Sequence, residues 1–283
     1  MPRRLFCEIS PLTYKISTEK CRIVRKVHDA LSTEKFAREK QTEPLSVVIY
    51  RHNSLIRRTL GNVRMDLQEN KAVNLSIAAP KVNGVLIRPG ETFSFWHLVG
   101  RTGTKNGYKM GLTISNGQAS EGVGGGLCQF TNLIHWMILH TPLKITEHHH
   151  HDALDLFPDY KRTIPFGTGT SICYNYLDYR FFNPTENTYQ ILTWVTEQYL
   201  CGELRAEKRQ EYTYHIKAED EYFSLEDDGV YRNGAVYRTI IDPSSGNAVE
   251  KELIRQNHAL VAYDTSKLVL VDRRTKCADE TAK

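Results

Sequence analysis

The sequence predicts an α+β protein, with helices mixed among antiparallel strands and a β-rich C-terminal segment. Three observations predict this class. Apolar residues recur at helical spacing in the first 80 residues, they do so again after Cys128, and strand-like runs with turn signals occupy most of the remainder. We therefore expect an N-terminal helical segment (1–80), a core with a glycine-rich loop and the Cys128 helix (81–206), and a β-rich segment (207–283).

The first two helices are predicted from spacing. Apolar residues at positions 23, 24, 27 and 31, with charges between them, indicate an amphipathic helix near the N-terminus. After a short apolar run over 45–50, a second helical pattern extends to Pro80 and the Asn83-Gly84 pair, which are helix stop signals. The apolar positions of that pattern are Ile56, Leu60, Val63, Leu67, Leu75 and Ala78.

Turn residues predict the strands of the core. Residues 85–87 and 92–95 are expected to be two strands around a turn, because Pro89 and Gly90 stand where a type II turn requires them. Asn116-Gly117 is a second hairpin signal. Residues 170–182 are aromatic and β-prone, and we expect residues 189–195 to pair with them.

The C-terminal segment alternates polar and apolar residues from Tyr212 onward, which is typical of strands. Asn233-Gly234 is predicted to be a hairpin turn, because strand-like residues stand on both sides of it. The run from Asp242 to Gly246 predicts another turn. We expect these strands to form a separate β-rich module.

Composition narrows the function classes. The net charge of +4 is spread along the chain, so we expect no nucleic-acid partner. The N-terminus has charges but no apolar core, which is unlike a signal peptide. The uncharged stretch 122–143 contains four glycines and several polar residues, so no membrane span is expected. Six cysteines without CxxC spacing favour free thiols and a cytoplasmic protein.

The strongest candidate for a functional site is the stretch from Gly124 to Asn132. Glycines at 124, 125 and 126 permit positive φ or a close backbone approach to a ligand, so we expect them to line a cleft. The helix that follows has one polar stripe, formed by Cys128, Thr131, Asn132 and His135. At a helix N-terminus the pKa of the Cys128 thiol is expected to be lowered, although burial would oppose this. The structural alternative is a small cysteine buried where the helix meets the sheet.

The histidine run 148–151 is the expected partner of Cys128. On an extended strand, alternate side chains share one side, so Glu147, His149 and His151 would face together and His148 and His150 would face away. His135 lies seven residues beyond Cys128, about 10 Å along the helix, which is too far for a direct contact.

Two mechanisms suit these residues. In one, a Cys128 thiolate attacks an acyl carbon, a histidine moves the proton, and backbone N–H groups near Gly125 and Gly126 stabilise the oxyanion; no cofactor is needed. In the other, Cys128, His149 and His151 bind zinc and leave one position open. A third interpretation leaves the histidines in a solvated loop. Separately, Arg101 is a candidate for holding an anionic ligand.

Several blocks of the sequence resemble the VanW family over about residues 45 to 265. The most specific is Gly124-Gly125-Gly126-Leu127-Cys128-Gln129. The other blocks are 88–95, 99–102, Gly107-Tyr108, Glu147-x-His149-x-His151 and 257–261, and the last resembles the short, cytosolic-looking members of the family.

The resemblance implies a role in glycopeptide resistance, because the family takes its name from a protein encoded in vancomycin-resistance gene clusters. It implies binding of, or action on, cell-wall peptide precursors ending in D-Ala-D-Ala or D-Ala-D-lactate, with other resistance proteins as further expected partners. A thiol-dependent activity, a zinc-dependent hydrolase and a non-catalytic binding module all remain open. The residues expected to contact the ligand are Gly124, Gly125, Gly126, Gln129, Arg101, Thr131 and Asn132.

Overall fold

The computed structural model describes residues 5–57, 64–115, 118–150, 154–155, 158 and 164–274. Within them the chain forms four α-helices and fifteen strands, which confirms the α+β class and the β-rich C-terminus. The helices are α1 (Pro11–Leu31), α2 (Met65–Val82), α3 (Phe95–Val99) and α4 (Cys128–Ile138). The strands are β1 (Lys35–Phe36), β2 (Val47–Leu55), β3 (Val85–Ile87), β4 (Glu91–Ser94), β5 (Met110–Ser115), β6 (Gln118–Val123), β7 (Lys144–Glu147), β8 (Leu154–Asp155), β9 (Arg180–Phe182), β10 (Tyr189–Val195), β11 (Tyr199–Ala206), β12 (Thr213–Glu226), β13 (Gly229–Ile241), β14 (Ala248–Val261) and β15 (Leu270–Asp272).

The strands form three larger sheets and one hairpin. The first sheet has the order β1-β4-β9-β7 and the second has the order β2-β11-β10-β3. The third sheet, β15-β12-β13-β14-β8, contains the three long C-terminal strands, and β5 pairs antiparallel with β6. Helices α2 and α4 pack on the first two sheets around one apolar core. The predicted apolar face of α4 is confirmed, because Phe130, Leu133, Ile134, Met137 and Ile138 are all buried.

The helical segment contains a strand that the spacing did not predict. Residues 47–55 form β2, which pairs along its length with β11, and the next helix starts only at Met65, so the helical pattern predicted from Ile56 begins too early. Hydrogen bonds to β11 satisfy the N–H and C=O groups of residues 47–55 in the extended form. The spacing of apolar residues does not reveal this pairing between distant segments. Helix α2 starts at Met65, and Leu60 and Val63 lie outside the described residues. It includes Pro80 in its last turn and stops at Asn83-Gly84 as predicted.

One predicted strand pairing is wrong, and the two strands around the Pro89-Gly90 turn do not pair with each other. Strands β3 and β4 flank the Pro89-Gly90 turn but lie in different sheets, β3 beside β10 and β4 between β1 and β9. Consequently β10 pairs with β3 and β11, not with the 170–182 segment. The Pro89-Gly90 turn itself is confirmed by Gly90 at φ 77° and by the hydrogen bond from Glu91 N to Arg88 O.

In the C-terminal segment, one of the two predicted turns forms and the other does not. Asn233-Gly234 lies inside β13, opposite an irregularity in β12, and the two strands reverse at residues 227–228. The turn at 242–246 is as predicted, closed by the hydrogen bond from Gly246 N to Asp242 O. Asn116-Gly117 lies outside the described residues, although β5 and β6 on either side of it pair as predicted.

The C-terminal sheet contacts the end of α4 and the segment that follows it through side-chain packing, a strand pair and hydrogen bonds, such as that from Arg238 Nη1 to Thr141 O at 3.2 Å. Trp136 and Leu139 at the end of α4 pack against Ile216 and Val236 of β12 and β13. In addition, β8 pairs parallel with β14. These contacts bring β14 close to the segment that follows α4.

Helix α1 begins with a capping box. Ser10 Oγ accepts a hydrogen bond from Thr13 N at 3.2 Å, Thr13 Oγ1 accepts one from Ser10 N at 2.9 Å, and Pro11 occupies the first turn. The helix confirms the amphipathic pattern predicted for the N-terminus, but none of its residues is buried. Charged side chains therefore hold it in place.

A network of buried charges connects α1 to the first sheet. The guanidinium of Arg180 binds both oxygens of Asp29 in α1, at 2.9 and 2.8 Å, and Oδ2 of Asp178 at 2.9 Å. Arg25 of α1 makes a two-pronged ion pair with Glu147, at 2.5 and 2.7 Å. Burial acts to raise the pKa of Asp29, but hydrogen bonds and charge from Arg180, with those of His97, outweigh it and lower the pKa.

Among the described residues, no helix combines the length and apolarity needed to cross a lipid bilayer.

We expect Arg180→Gln to lower the free energy of unfolding by about 3–5 kcal/mol. The side chain of Arg180 is only 4% exposed, and its loss leaves the Asp29 and Asp178 carboxylates buried without their cation. Chemical denaturation followed by circular dichroism measures the change.

The matched control is Arg51→Gln, whose side chain is 63% exposed and pairs with Glu203 at 3.2 Å. Because the Arg51 side chain is exposed and Glu203 keeps the hydrogen bond from Arg205 Nε at 2.6 Å, the loss should cost about 0–1 kcal/mol. Equal losses in the two variants would contradict a special role for the buried network.

Candidate functional site

The three glycines before α4 are packed against the chain itself. Gly124 and Gly126 have φ of 80° and 89°, which confirms the predicted positive φ. A Cβ on Gly125 would overlap the backbone of Gly111 in β5, and one on Gly126 would overlap the side chain of Lys71 in α2. Close backbone approach is therefore the reason for the glycines, but the approach is to β5 and α2. Their expected contact with a ligand stays a prediction.

The polar side chains of the first turn of α4 fix neighbouring segments. Gln129 Nε2 donates to Ser54 Oγ at 2.8 Å and to Leu55 O at 2.9 Å, so it ties α4 to the end of β2. Asn132 Oδ1 accepts from Thr170 N at 2.7 Å and from Thr170 Oγ1 at 2.8 Å. Thr131 is buried and its hydroxyl also bonds that of Thr170. All three have structural partners, and their predicted ligand contacts are untested.

Cys128 occupies the first position of α4 as predicted, but its surroundings disfavour the thiolate. Burial raises the pKa of the thiol and outweighs the opposing hydrogen bonds from the backbone N–H groups of Ile172 and of Cys128 itself. The expectation of a lowered pKa is therefore wrong. It assumed that the glycines open the helix N-terminus to solvent, whereas they pack against β5 and α2.

The predicted alternation of the histidine segment is confirmed for the residues that the structure describes. His149 Nε2 lies 2.9 Å from Glu147 Oε1, so these two side chains share one side. His148 and His150 share the other side, with ring centroids 6.4 Å apart. His151 lies outside the described residues. No contact between Cys128 and His149 is found in the described structure, and their proposed cooperation stays a prediction.

The side of the segment that meets α4 is the one carrying His148. Its ring stacks on that of His135, with centroids 4.4 Å apart and planes at 23°. His135 Nδ1 lies 3.0 Å from the hydroxyl of Tyr179, while His135 Nε2 is buried without a hydrogen-bond partner in the described structure. His148 Nε2 hydrogen-bonds to Gly169 O at 2.8 Å. His135, which we expected to be too distant from Cys128 to act with it, thus belongs to a histidine cluster of its own.

Burial keeps these two imidazoles neutral at pH 7. It lowers the pKa of His135 well below its usual value, and the charges that His148 and His150 would carry lower it further. Burial also lowers the pKa of His148; the hydrogen bond to Gly169 opposes this, whereas the charge of Arg255 adds to it. Neutral imidazoles can donate or accept hydrogen bonds without bringing an uncompensated charge into the interior.

A small pocket opens between the histidine segment and β14. His150, Phe166, Arg255 and Asn257 are prominent in its wall, and its volume is about 140 Å³. We call this space the histidine pocket; the ring of His150 in its wall lies 6.4 Å from that of His148. Asn257 Nδ2 donates to Phe166 O at 3.0 Å, and a Cβ on Gly167 would overlap the Asn257 amide. This explains the 257–261 block, because β14 forms one wall of the pocket.

The sequence predicted only part of the pocket. It placed His135 on the polar stripe of α4, and Asn257 belongs to the 257–261 block that resembles the family. Arg255 gave no local signal, because a basic residue in an amphipathic strand is most often solvated. The docking of β14 beside the segment that follows α4 brings Arg255 near His148.

The predicted zinc site and the predicted role of Arg101 in holding an anionic ligand both stay predictions. No group of three His, Cys, Asp or Glu side chains within the described ranges is arranged to hold a metal ion. Because His151 lies outside those ranges, the zinc alternative of Cys128, His149 and His151 stays a prediction. Arg101 is 63% exposed and lies 3.4 Å from Glu19 of α1, so its only described ion pair is with a carboxylate of the chain itself.

Comparison with known proteins gives two relatives. A family model described as "VanW like protein" matches residues 70–205. The vancomycin B-type resistance protein VanW of Enterococcus faecalis is 34% identical over 215 residues, which are 76% of this chain and 75% of that protein. The uncharacterized protein YoaR of Bacillus subtilis is 30% identical over 118 residues, 41% of this chain and 36% of that protein. No solved structure matches the chain significantly.

Substitution Gly125→Ala should destabilise the fold by about 1–3 kcal/mol, because the added methyl group meets the Gly111 backbone, which cannot rotate away. Thermal and chemical unfolding measure the effect. Gly103→Ala is the matched control, since a Cβ there meets nothing within 4 Å, and its effect should stay within about 0.5 kcal/mol. Wild-type stability in Gly125→Ala, combined with loss of ligand binding, would instead favour a glycine-lined cleft.

In the native protein, Cys128 should react with iodoacetamide more slowly than Cys21, because burial raises the pKa of Cys128 and Cys21 is exposed on α1. Mass spectrometry of time points between pH 6 and about pH 9 resolves each cysteine. Both should react equally fast after denaturation. Fast modification of Cys128 below pH 7 would show that the thiolate is stabilised and that burial does not dominate.

Proposed function

Since this chain belongs to the VanW family, we propose that it is an accessory protein of glycopeptide resistance that binds a cell-wall peptide precursor. The relative from Enterococcus faecalis bears the name of a vancomycin resistance protein, and the association with resistance is transferred from it. We further propose that the protein works in the cytoplasm, as its six cysteines without CxxC spacing suggest.

The observation that carries the binding role is the chemistry of the histidine pocket. Arg255 supplies a cation whose guanidinium can bind both oxygens of a carboxylate. Asn257 lines the same wall. His148, whose ring lies 6.4 Å from that of His150, is neutral because burial lowers its pKa, so it adds no second positive charge. A terminal carboxylate is a feature that precursors ending in D-Ala-D-Ala and in D-Ala-D-lactate have in common.

The size of the pocket agrees with one end of a peptide and not with a whole one. Its volume of about 140 Å³ lies below the roughly 300–1,000 Å³ usual for drug-sized ligands. The rest of the precursor would then lie along the surface outside the pocket. This arrangement favours recognition of the peptide terminus, with little selectivity for residues further along.

A thiol-dependent activity is the second candidate, because Cys128 stands in the first turn of α4. In this mechanism the Cys128 sulfur would lose its proton to a histidine and attack the acyl carbon of the terminal amide or ester bond. That bond would break, the leaving D-Ala or D-lactate would take the proton from the histidine, and water would hydrolyse the thioester. The raised pKa of the thiol opposes that step, so binding has the better support. The zinc-dependent hydrolase of Cys128, His149 and His151 is the third candidate, and metal analysis of the purified protein decides on it.

Isothermal titration with an acetylated Lys-D-Ala-D-Ala peptide tests the binding role. We expect the peptide to bind and its C-terminal amide to bind at least tenfold more weakly, because a hydrogen bond to a charged group contributes about 1.5–3 kcal/mol. Arg255→Gln should reduce affinity for the acid to that of the amide. Arg273→Gln, which removes an exposed arginine, is the control and should bind normally.

Cys128→Ala separates the candidates. If Cys128→Ala binds the peptide as tightly as the wild type, and the wild type leaves the peptide intact, the results support a binding module. Peptide cleavage or an acyl adduct that disappears in Cys128→Ala supports the thiol mechanism. Equal affinity for the acid and the amide would contradict carboxylate recognition altogether.

A further inference from the structure

The apolar face of α1 is exposed to solvent. Six of its large aliphatic side chains are at least half exposed, from 50% for Ile16 to 80% for Leu31. They are Leu12, Ile16, Ile23, Val24, Val27 and Leu31. Leu5, Phe6 and Ile9, which precede the helix, are also 55–62% exposed. Surface helices of globular proteins normally bury such a stripe against the core.

The helix is attached by the opposite side. Arg25 binds Glu147 and Asp29 binds Arg180, while Arg22 Nε donates to Tyr174 O at 3.1 Å. Ile23 and Val27 each lie two residues from Arg25, which is about 200° around a helix of 3.6 residues per turn. The polar side chains thus hold α1 on the body and direct its apolar face outward.

The exposed apolar face is accompanied by exposed lysines. Lys15, Lys20 and Lys26 are exposed, and none of them forms an ion pair with any described residue. The first 31 residues contain seven Lys or Arg against three Asp or Glu, a net charge of +4. The whole chain also has a net charge of +4, so the remaining 252 residues are neutral in sum. The basic charge is therefore concentrated in the segment that exposes the apolar face.

We propose that α1 binds the surface of an anionic lipid membrane, with its apolar face in the boundary between headgroups and acyl chains. An apolar face flanked by lysines is the pattern of helices that lie in this interface without spanning it. This inference goes beyond the proposed function and does not depend on it. The leaflet that faces the cytoplasm is the anionic one in most membranes.

The position of Lys20 favours a membrane over a second copy of the chain. Lys20 follows Ile16 by four residues and precedes Ile23 by three, so it lies within the apolar stripe. In a symmetric dimer packed through this face, Lys20 would be buried close to its own copy. On a membrane its aliphatic stem stays in the apolar layer and its ammonium group reaches the lipid phosphates.

Sedimentation with vesicles tests the proposal on the full-length chain. We expect binding to vesicles made of equal parts phosphatidylglycerol and phosphatidylcholine, and binding at least tenfold weaker to phosphatidylcholine alone. The double variant Ile23→Ser/Val27→Ser should lose binding to the anionic vesicles. Both residues point away from the body, so its circular dichroism and unfolding midpoint should match the wild type.

Two further variants complete the design. Val249→Ser/Leu253→Ser removes two aliphatic side chains of β14 that are 58% and 54% exposed, and it should bind vesicles like the wild type. Lys15→Gln/Lys20→Gln/Lys26→Gln should bind anionic vesicles at least tenfold more weakly, because each lysine near an anionic surface contributes a several-fold gain. Absence of vesicle binding, or equal binding by the wild type and Ile23→Ser/Val27→Ser, would overturn the proposal. A dimer in light scattering that the same double variant dissociates would assign the face to a second copy instead.

Discussion

The carboxylate of Glu147 organises both surfaces on which the proposals rest. It accepts hydrogen bonds from Arg25 of α1, from the backbone N–H of Asp178 and from His149. Burial acts to raise the pKa of Glu147, and these donors together outweigh it and lower the pKa. The group is therefore ionised at neutral pH, and it joins α1, the histidine segment and the 178–180 segment at one point.

The contact with His149 determines which histidines reach the interior. Because alternate residues of an extended segment face opposite sides, holding His149 beside Glu147 directs His148 towards His135. The contact with Arg25 determines the orientation of α1 in the same way, since it places the polar side of the helix against the body. One partly buried carboxylate thus specifies an inward histidine and an outward apolar face.

Burial also decides the chemistry of the region around α4. It keeps His135 and His148 neutral and Cys128 protonated, so that the interior contains hydrogen-bonding groups without net charge. Charge in the histidine pocket comes instead from Arg255, which reaches it from a different sheet. A site of this kind suits recognition of an anionic group more directly than it suits nucleophilic attack, for which the thiol must first lose its proton.

The sequence by itself determined the features that depend on neighbours in the chain. Helical spacing identified α1 and the buried face of α4, turn residues identified the Pro89-Gly90 turn, and alternation identified which histidines share a side. Each of these is set by backbone geometry over a few residues, so a local pattern is sufficient. The glycine block and its cysteine also carried the family resemblance.

Tertiary structure alone decided which surfaces meet. The sequence could not show that β3 and β4 enter different sheets, because both pairings satisfy the same hydrogen-bonding groups. It could not show that a Cβ on Gly125 would overlap the Gly111 backbone, or that burial raises the pKa of the Cys128 thiol. Nor could it place Arg255 beside His148. These outcomes depend on contacts between residues that are far apart in sequence. The energies of such contacts are set by packing and burial in the complete fold, and not by the neighbouring residues in the chain.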